Sequence, residues 1–352
     1  MELRDWIAQI TPPDEGAAAA ARAHWDRVAK PLGSLGLLEE ALVRVAALTG
    51  EEELQLSPRA LLVFCADNGV VARGVTQCGP EVTASVARAL GAGESTVCRM
   101  AAVARCAVLP VDMGMLDFPG APGVRDCRVA NGTGDCAAGP AMTREQCRKA
   151  VLTGAELVRE QAERGARLIC TGEMGIGNTT TSAAVACALL GRPAAELTGR
   201  GAGLSDAGLA RKVAAVEAAL AINRPDPADP LDVLAKVGGL DLAALCGAFL
   251  GGAACRVPVV VDGLISGVAA LCALRLCPGA QKAMLASHVS AEPAGALVLR
   301  ELGLRPPITA GMRLGEGSGA VALLPLLDMA LAVYRTGSTF GRLGIAPYTP
   351  QS

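Results

Sequence analysis

The sequence predicts an α/β protein: a Rossmann-like open parallel β-sheet flanked by helices, with a small helical domain built from both chain termini. Three observations carry this. Short β-branched runs alternate with long Ala-rich stretches; each run is apolar throughout, as a parallel strand covered on both faces must be; and each feeds a loop of glycines or polar residues. Residues 1–55 show no strand signal and read as helical. The expected strands are Ala60–Ala66, Cys106–Asp112, Arg167–Thr171, Val257–Asp262 and Lys282–Ser287. Before the third, Thr143 and Gln146 make a capping box, Cys147, Val151, Val158 and Ala162 mark one apolar face, and Gly165 ends the helix. The last ~25 residues read as helical again. The expected division is a large domain at 56–325 and a discontinuous small one at 1–55 and 326–352.

Composition narrows the function. At 352 residues the chain can bury a full core without disulfides or structural metal. Hydrophobic residues are 51% and charged residues 19%, which excludes disorder and coiled coil. Lys+Arg is 32 against Asp+Glu 34, with no basic stripe, so no nucleic acid is expected as partner. Aromatics at 2% leave no stacking platform for single strands. Mean hydropathy is +0.39, yet the most apolar stretches, Leu242–Cys255 and Gly263–Leu274, fall short of the roughly 20 residues a span needs. No membrane contact is expected. The opening MELRDWIAQITPPDEG has no apolar leader, and thirteen cysteines without a CxxC pair read as reduced, which makes the expected location cytoplasmic. Only His24 and His288 exist, so a multi-histidine metal site is impossible, and no metal or cofactor is expected.

Ligands of open α/β sheets sit beyond the carboxyl ends of the strands, so the loops there carry the chemistry. The third loop, Thr171 to Thr181 (TGEMGIGNTTT), opens a helix whose free N–H groups suit a phosphate. It is neither a Walker A loop nor GxGxxG, and a capped tight turn is the plain alternative. A second glycine turn, Thr198 to Asp206, leads into a helix capped by Ser205 that carries Lys212; a surface lysine is the usual explanation there. Glu316, between Gly315 and Gly317 and just before the run VALLPLL, is poorly explained as a solvated charge. Burial would raise its pKa and make it a base near neutral pH. Glu173 holds a similar place in the third loop. Asp67, Asp112, Asp241 and Asp262 are candidates for ribose hydroxyls or for turns. His24, beside Trp25, reads as structural; His288 opens the loop SHVSAEPAG and is a candidate for the cleft wall. Cys65 and Cys78 have no histidine near in sequence, against a cysteine nucleophile.

These blocks, in order along nearly the whole chain, resemble the nicotinate-nucleotide–dimethylbenzimidazole phosphoribosyltransferases, which make α-ribazole phosphate for the lower ligand of cobalamin. The resemblance lies in KPLGSLG from Lys30, ADNGVVARGVTQCGPEVT from Ala66, GAGESTV from Gly91, ANGTGD from Ala130 and CTGEMGIGNTTTSAA from Cys170. TGRGAGL from Thr198, VGGLDLAAL from Val237, DGLISG, SHVSAEPAG and LGEGSGA complete it. It implies a homodimer with Glu316 as general base and Glu173 at the reacting centre. It also implies that Gly175, Gly177, Asn178, Thr179, Gly201, Gly203 and Lys212 hold the 5′-phosphate and ribose. Asp241, Asp262 and Ser290 would belong to the substrate site, with Gln77, Ser85, Leu314 and Gly315 also binding substrate. The partners implied are nicotinate mononucleotide and an aromatic base. This chain has Asn68 where some members have His, and Gly74–Ser85 differs from the benzimidazole-specialised members. Transfer onto adenine, another benzimidazole or a phenolic is therefore the runner-up. A non-catalytic nucleotide-binding subunit is opposed by the presence of both glutamates, and a dinucleotide oxidoreductase by the spacing of GIGN.

Overall fold

The computed structural model describes residues 1–349; the last three residues of the expected small domain lie outside the described residues. Six parallel strands form one sheet: β1 (Arg59–Ala66), β2 (Ala107–Gly114), β3 (Arg125–Asp126), β4 (Leu168–Met174), β5 (Val259–Val261) and β6 (Met284–Ala286). Their order is β3-β2-β1-β4-β5-β6, so the winding reverses between β1 and β4. That reversal opens a crevice at the carboxyl edge. All five expected strands are present, with β5 and β6 cut to three residues each. β3 is an addition to them: its two residues are exposed and polar and leave no apolar run to read.

The sheet explains the unbroken apolar runs. Alternate β1 side chains enter opposite cores: Leu62, Phe64 and Ala66 on one face, Leu61, Val63 and Cys65 on the other. A strand with two buried faces has no polar side to show. On the first face, helices Arg144–Glu163 and Leu240–Ala254 cross at backbone distance. A Cβ on Gly154 would lie 1.9 Å from the Ala244 carbonyl oxygen, and one on Gly247 would lie 1.8 Å from that of Val151. The Thr143–Gln146 capping box closes the first of these helices as expected.

The second face is covered by helices from both ends of the chain. Residues of Glu15–Arg27, Leu37–Thr49 and Ser318–Thr336 share one core with Leu61, Val63, Leu168 and Cys170 of the sheet. His24 belongs to this packing, its Nε2 lying 2.5 Å from the Tyr334 carbonyl oxygen. Helix Ser318–Thr336 runs through residue 325, where the expected domain boundary falls and Pro325 lies within it. This helix is long and apolar enough to span a membrane, and half of its most apolar stretch is buried in the fold. Its apolar side is explained by the sheet beneath it.

Candidate active site

The carboxyl edge of the sheet holds a cavity of about 280 Å³, walled by the loops after β1, β4, β5 and β6 and by the loop before helix Ser318–Thr336. The loop after β4 forms the floor. A Cβ on Gly175 would lie 2.5 Å from the Ala66 carbonyl oxygen and 2.8 Å from Asp241 Oδ2, so only glycine lets this loop lie against β1. Gly177 takes φ 92° and turns the chain into helix Asn178–Leu190, whose first residues, Asn178 and Thr179, line the cavity. Thr83 steadies the turn, its Oγ1 accepting from Ile176 N at 3.1 Å.

Asn178 is the pivot of a buried polar cluster. Its Nδ2 donates to Asp241 Oδ2 at 2.9 Å and also to Glu173 Oε2. Two carboxylates thus share one amide away from water. Burial pushes the Glu173 carboxyl from 4.5 up to about 8, with the Asp241 charge adding to the rise and the Asn178 amide opposing it. Burial likewise raises Asp241 to about 6.

A cation lies across the cavity. Lys212 is 1% exposed, and its Nζ donates to Thr179 Oγ1 at 2.7 Å. Gly201 leaves room for this pair, since a Cβ there would come within 3.0 Å of Thr179 Oγ1 and 3.3 Å of the ammonium. Burial lowers the Lys212 pKa to about 8, against the pull of Glu292. A lysine hidden beside a helix N-terminus is poised for an anion, and the surface-lysine explanation fails.

Glu316 hangs over the same cavity in a strained loop. Its φ of 58° lies between those of Gly315 (84°) and Gly317 (86°), and left-handed backbone at a non-glycine residue persists only where surroundings enforce it. Two neighbours do so. Gly172 of β4 has no Cβ to meet the Glu316 carbonyl, which would otherwise lie 2.6 Å away. The Asp262 carboxylate accepts from Gly319 N at 2.7 Å and Ala320 N at 2.9 Å, with Gly263 and Gly317 N–H groups also turned to it. The Glu316 carboxylate meets Val97 N at 3.4 Å, at the start of helix Thr96–Val103. Glu316 is only half-buried, contrary to the burial expected for it. The desolvated carboxyl is Glu173.

Of the residues expected at the site, Glu316, Glu173, Gly175, Gly177, Asn178, Thr179, Gly201, Lys212, Asp262, Ser290, Gln77, Leu314 and Gly315 line the cavity. Three do not. Asp241 is fully buried beneath Asn178; Ser85 is exposed, its hydroxyl returned to the Glu81 carbonyl at 2.9 Å; Gly203 sits behind the wall, its carbonyl accepting from Gln77. Asp262, expected at the sugar, lines the cavity, and its Oδ1 also holds the Glu316 loop through Gly319 N and Ala320 N. Asn68 is buried without lining the cavity, whereas His288 lines it. Arg200, Glu292 and Arg313 also line it, beyond the residues the sequence points to. Arg200 and Glu292 stand in glycine- and proline-rich motifs whose other residues carry the sequence signal. Arg313 directly precedes Leu314 and is exposed without an ion-pair partner among the described residues.

A family model described as a phosphoribosyltransferase (DBI_PRT) matches residues 10–345. The nicotinate-nucleotide–dimethylbenzimidazole phosphoribosyltransferase of Roseiflexus sp. RS-1 is 45% identical over 345 residues, covering 98% of both chains. Its counterpart in Ruminiclostridium cellulolyticum is 44% identical over 330 residues, 94% of each. A crystal structure of CobT from Thermus thermophilus superposes with TM-score 0.89 at 40% identity, covering 94% of this chain and 99% of that one. A crystal structure of nicotinate-nucleotide–dimethylbenzimidazole phosphoribosyltransferase from the same organism gives 0.88 at 40% identity, covering 95% and 99%.

Proposed function

The chain belongs to the nicotinate-nucleotide–dimethylbenzimidazole phosphoribosyltransferase family, and from that premise we propose how its cavity works. The enzyme transfers the phosphoribosyl group of nicotinate mononucleotide to 5,6-dimethylbenzimidazole, giving α-ribazole 5′-phosphate and nicotinate. The observation that carries the assignment of roles is one cavity with two glutamates on one side and a buried ammonium beside a helix N-terminus on the other.

The 5′-phosphate binds at the start of helix Asn178–Leu190, against Lys212, Thr179 and the Gly201 backbone. The base lies against Val75, Val86, Met174, Ile176 and Leu314, the apolar part of the lining. One ring nitrogen attacks C1′ as the C1′–pyridinium bond breaks, and its electron pair returns to the pyridine, which leaves as neutral-ring nicotinate. Glu316 takes the N–H proton from the other ring nitrogen. Attack opposite the leaving group inverts the anomeric carbon, so a β nucleotide yields an α product. The cationic substrate ring, and then the charge spread over the ribose, favour ionised Glu173, which stabilises them from below. A homodimer in the cytoplasm, with the helices of both chain ends as its small domain, belongs to the same proposal.

Glu316→Gln is the test. We expect turnover to fall about 10²–10⁴-fold while nicotinate mononucleotide still binds, as followed by chromatography of α-ribazole phosphate and by calorimetry. Retention of more than about a tenth of kcat would remove Glu316 as the base. A second reading has one observation in its favour, since burial brings Glu173 to about 8, in the range of a base for neutral pH. It requires Glu173→Gln to be the more damaged variant.

A further inference from the structure

Resting on the transfer proposed above, we infer that His288 reads a ribose hydroxyl of the nucleotide through a bare, unprotonated Nε2. Its neighbours decide the tautomer. The Ser287 hydroxyl lies 2.7 Å from the Val261 carbonyl oxygen, 3.1 Å from that of Asp262 and 3.0 Å from His288 Nδ1. Two oxygens 2.7 Å apart require a hydrogen between them, and the hydroxyl has one to give, so it goes to a carbonyl. The Ser287 oxygen is then left to accept, and Nδ1 must carry the ring proton. Nε2 therefore presents a lone pair. It has no partner among the described residues, yet it is not among the sealed unpartnered atoms, and the ring lines the cavity. Gly263, also on the cavity wall, faces both Nε2 and Ser290 Oγ: a Cβ there would lie 3.7 Å and 3.9 Å from them. The ring is fixed on its other side, where a Cβ on Gly319 would strike Nδ1 at 1.9 Å.

A fixed acceptor needs a donor, and the sugar brings hydroxyls. The nearby Asp262 carboxylate is itself an acceptor, its Oδ1 bound by Gly319 N and Ala320 N. Ser266 is also committed, bound to Thr171 Oγ1 at 2.7 Å and to Asp262 N at 3.1 Å. Burial lowers the His288 pKa, which keeps the ring neutral and the lone pair available.

The test measures kcat/KM for nicotinate mononucleotide and its 2′-deoxy and 3′-deoxy analogues with wild type, His288→Ala and His288→Gln. We expect wild type to disfavour one analogue by about ten- to a hundredfold, His288→Ala to lose most of that preference, and His288→Gln, whose amide oxygen can still accept, to keep part of it. Ratios between donors cancel any general loss from misfolding. Preferences for both analogues that are unchanged in His288→Ala overturn the inference. A wild type that makes no α-ribazole phosphate from the intact nucleotide would instead overturn the transfer itself. Nitrogen chemical shifts give a measurement without variants, simple because the chain has two histidines. Nδ1 protonated and Nε2 bare is the expected pattern, and an Nε2–H tautomer overturns it.

Discussion

Replacing Glu173 by Gln should remove a pH dependence of stability that the wild type carries. The folded-state carboxyl titrates at about 8 and the unfolded one near 4.5. Between those values the unfolded chain binds fewer protons than the folded one, so stability is fully present below about pH 4.5 and lost as pH rises through about 8. At about 1.36 kcal/mol per pH unit, the interval amounts to about 5 kcal/mol. Asp241 shares the Asn178 amide, so part of that belongs to the pair, and about 2–4 kcal/mol should disappear in the variant. Glutamine fits the place: its Oε1 accepts from Asn178 and its NH₂ turns to the cavity. The assay is urea unfolding of both proteins at one concentration, at about pH 5, 7 and 9. Wild type should lose midpoint between about pH 5 and 8 and level off above that, and Glu173→Gln should lose much less. Parallel curves would refute the desolvated-carboxyl argument. A companion readout is proton release when nicotinate mononucleotide binds near neutral pH. It should be larger in wild type than in the variant, because the arriving cation makes the buried Glu173 carboxyl release its proton to the buffer.

Lys212→Ala should reduce the preference for nicotinate mononucleotide over nicotinate riboside, which wild type should show at about a hundredfold or more in kcat/KM. Since burial brings Lys212 to about 8, nucleotide affinity in wild type should weaken above that pH, and the variant should lack this weakening. Thr83→Val takes away the acceptor of Ile176 N, and kcat/KM should fall about three- to tenfold, with Thr83→Ser restoring it. Gly247→Ala should cost more than about 2 kcal/mol in chemical unfolding, because its methyl meets a helix backbone at 1.8 Å. Gly341→Ala, with nothing near, is the control.

Much of this protein can be read locally. ALLVFCA announces a doubly buried strand because both neighbours of every residue are apolar. Thr143 with Gln146 announces a helix start because a cap and its partner lie three residues apart. The glycine loops after the strands point to a cleft because parallel strands leave their carboxyl ends together. For the same reason most site residues are legible as motifs. β3 is not, since two exposed polar residues draw their strand geometry wholly from β2.

The individual roles depend on distance across the fold. Glu173 and Glu316 look alike in sequence, each following a glycine near a strand end or helix start, yet both line one cavity with one carboxyl buried and the other half-buried. Asp241 resembles a sugar ligand until Asn178, 63 residues earlier, is found covering it. Asp262 faces the cavity as expected, but its second task, holding the Glu316 loop through Gly319 57 residues later, is not legible in sequence. Desolvation and hydrogen-bond saturation depend on atoms that only packing brings within about 3 Å, and no local pattern encodes them.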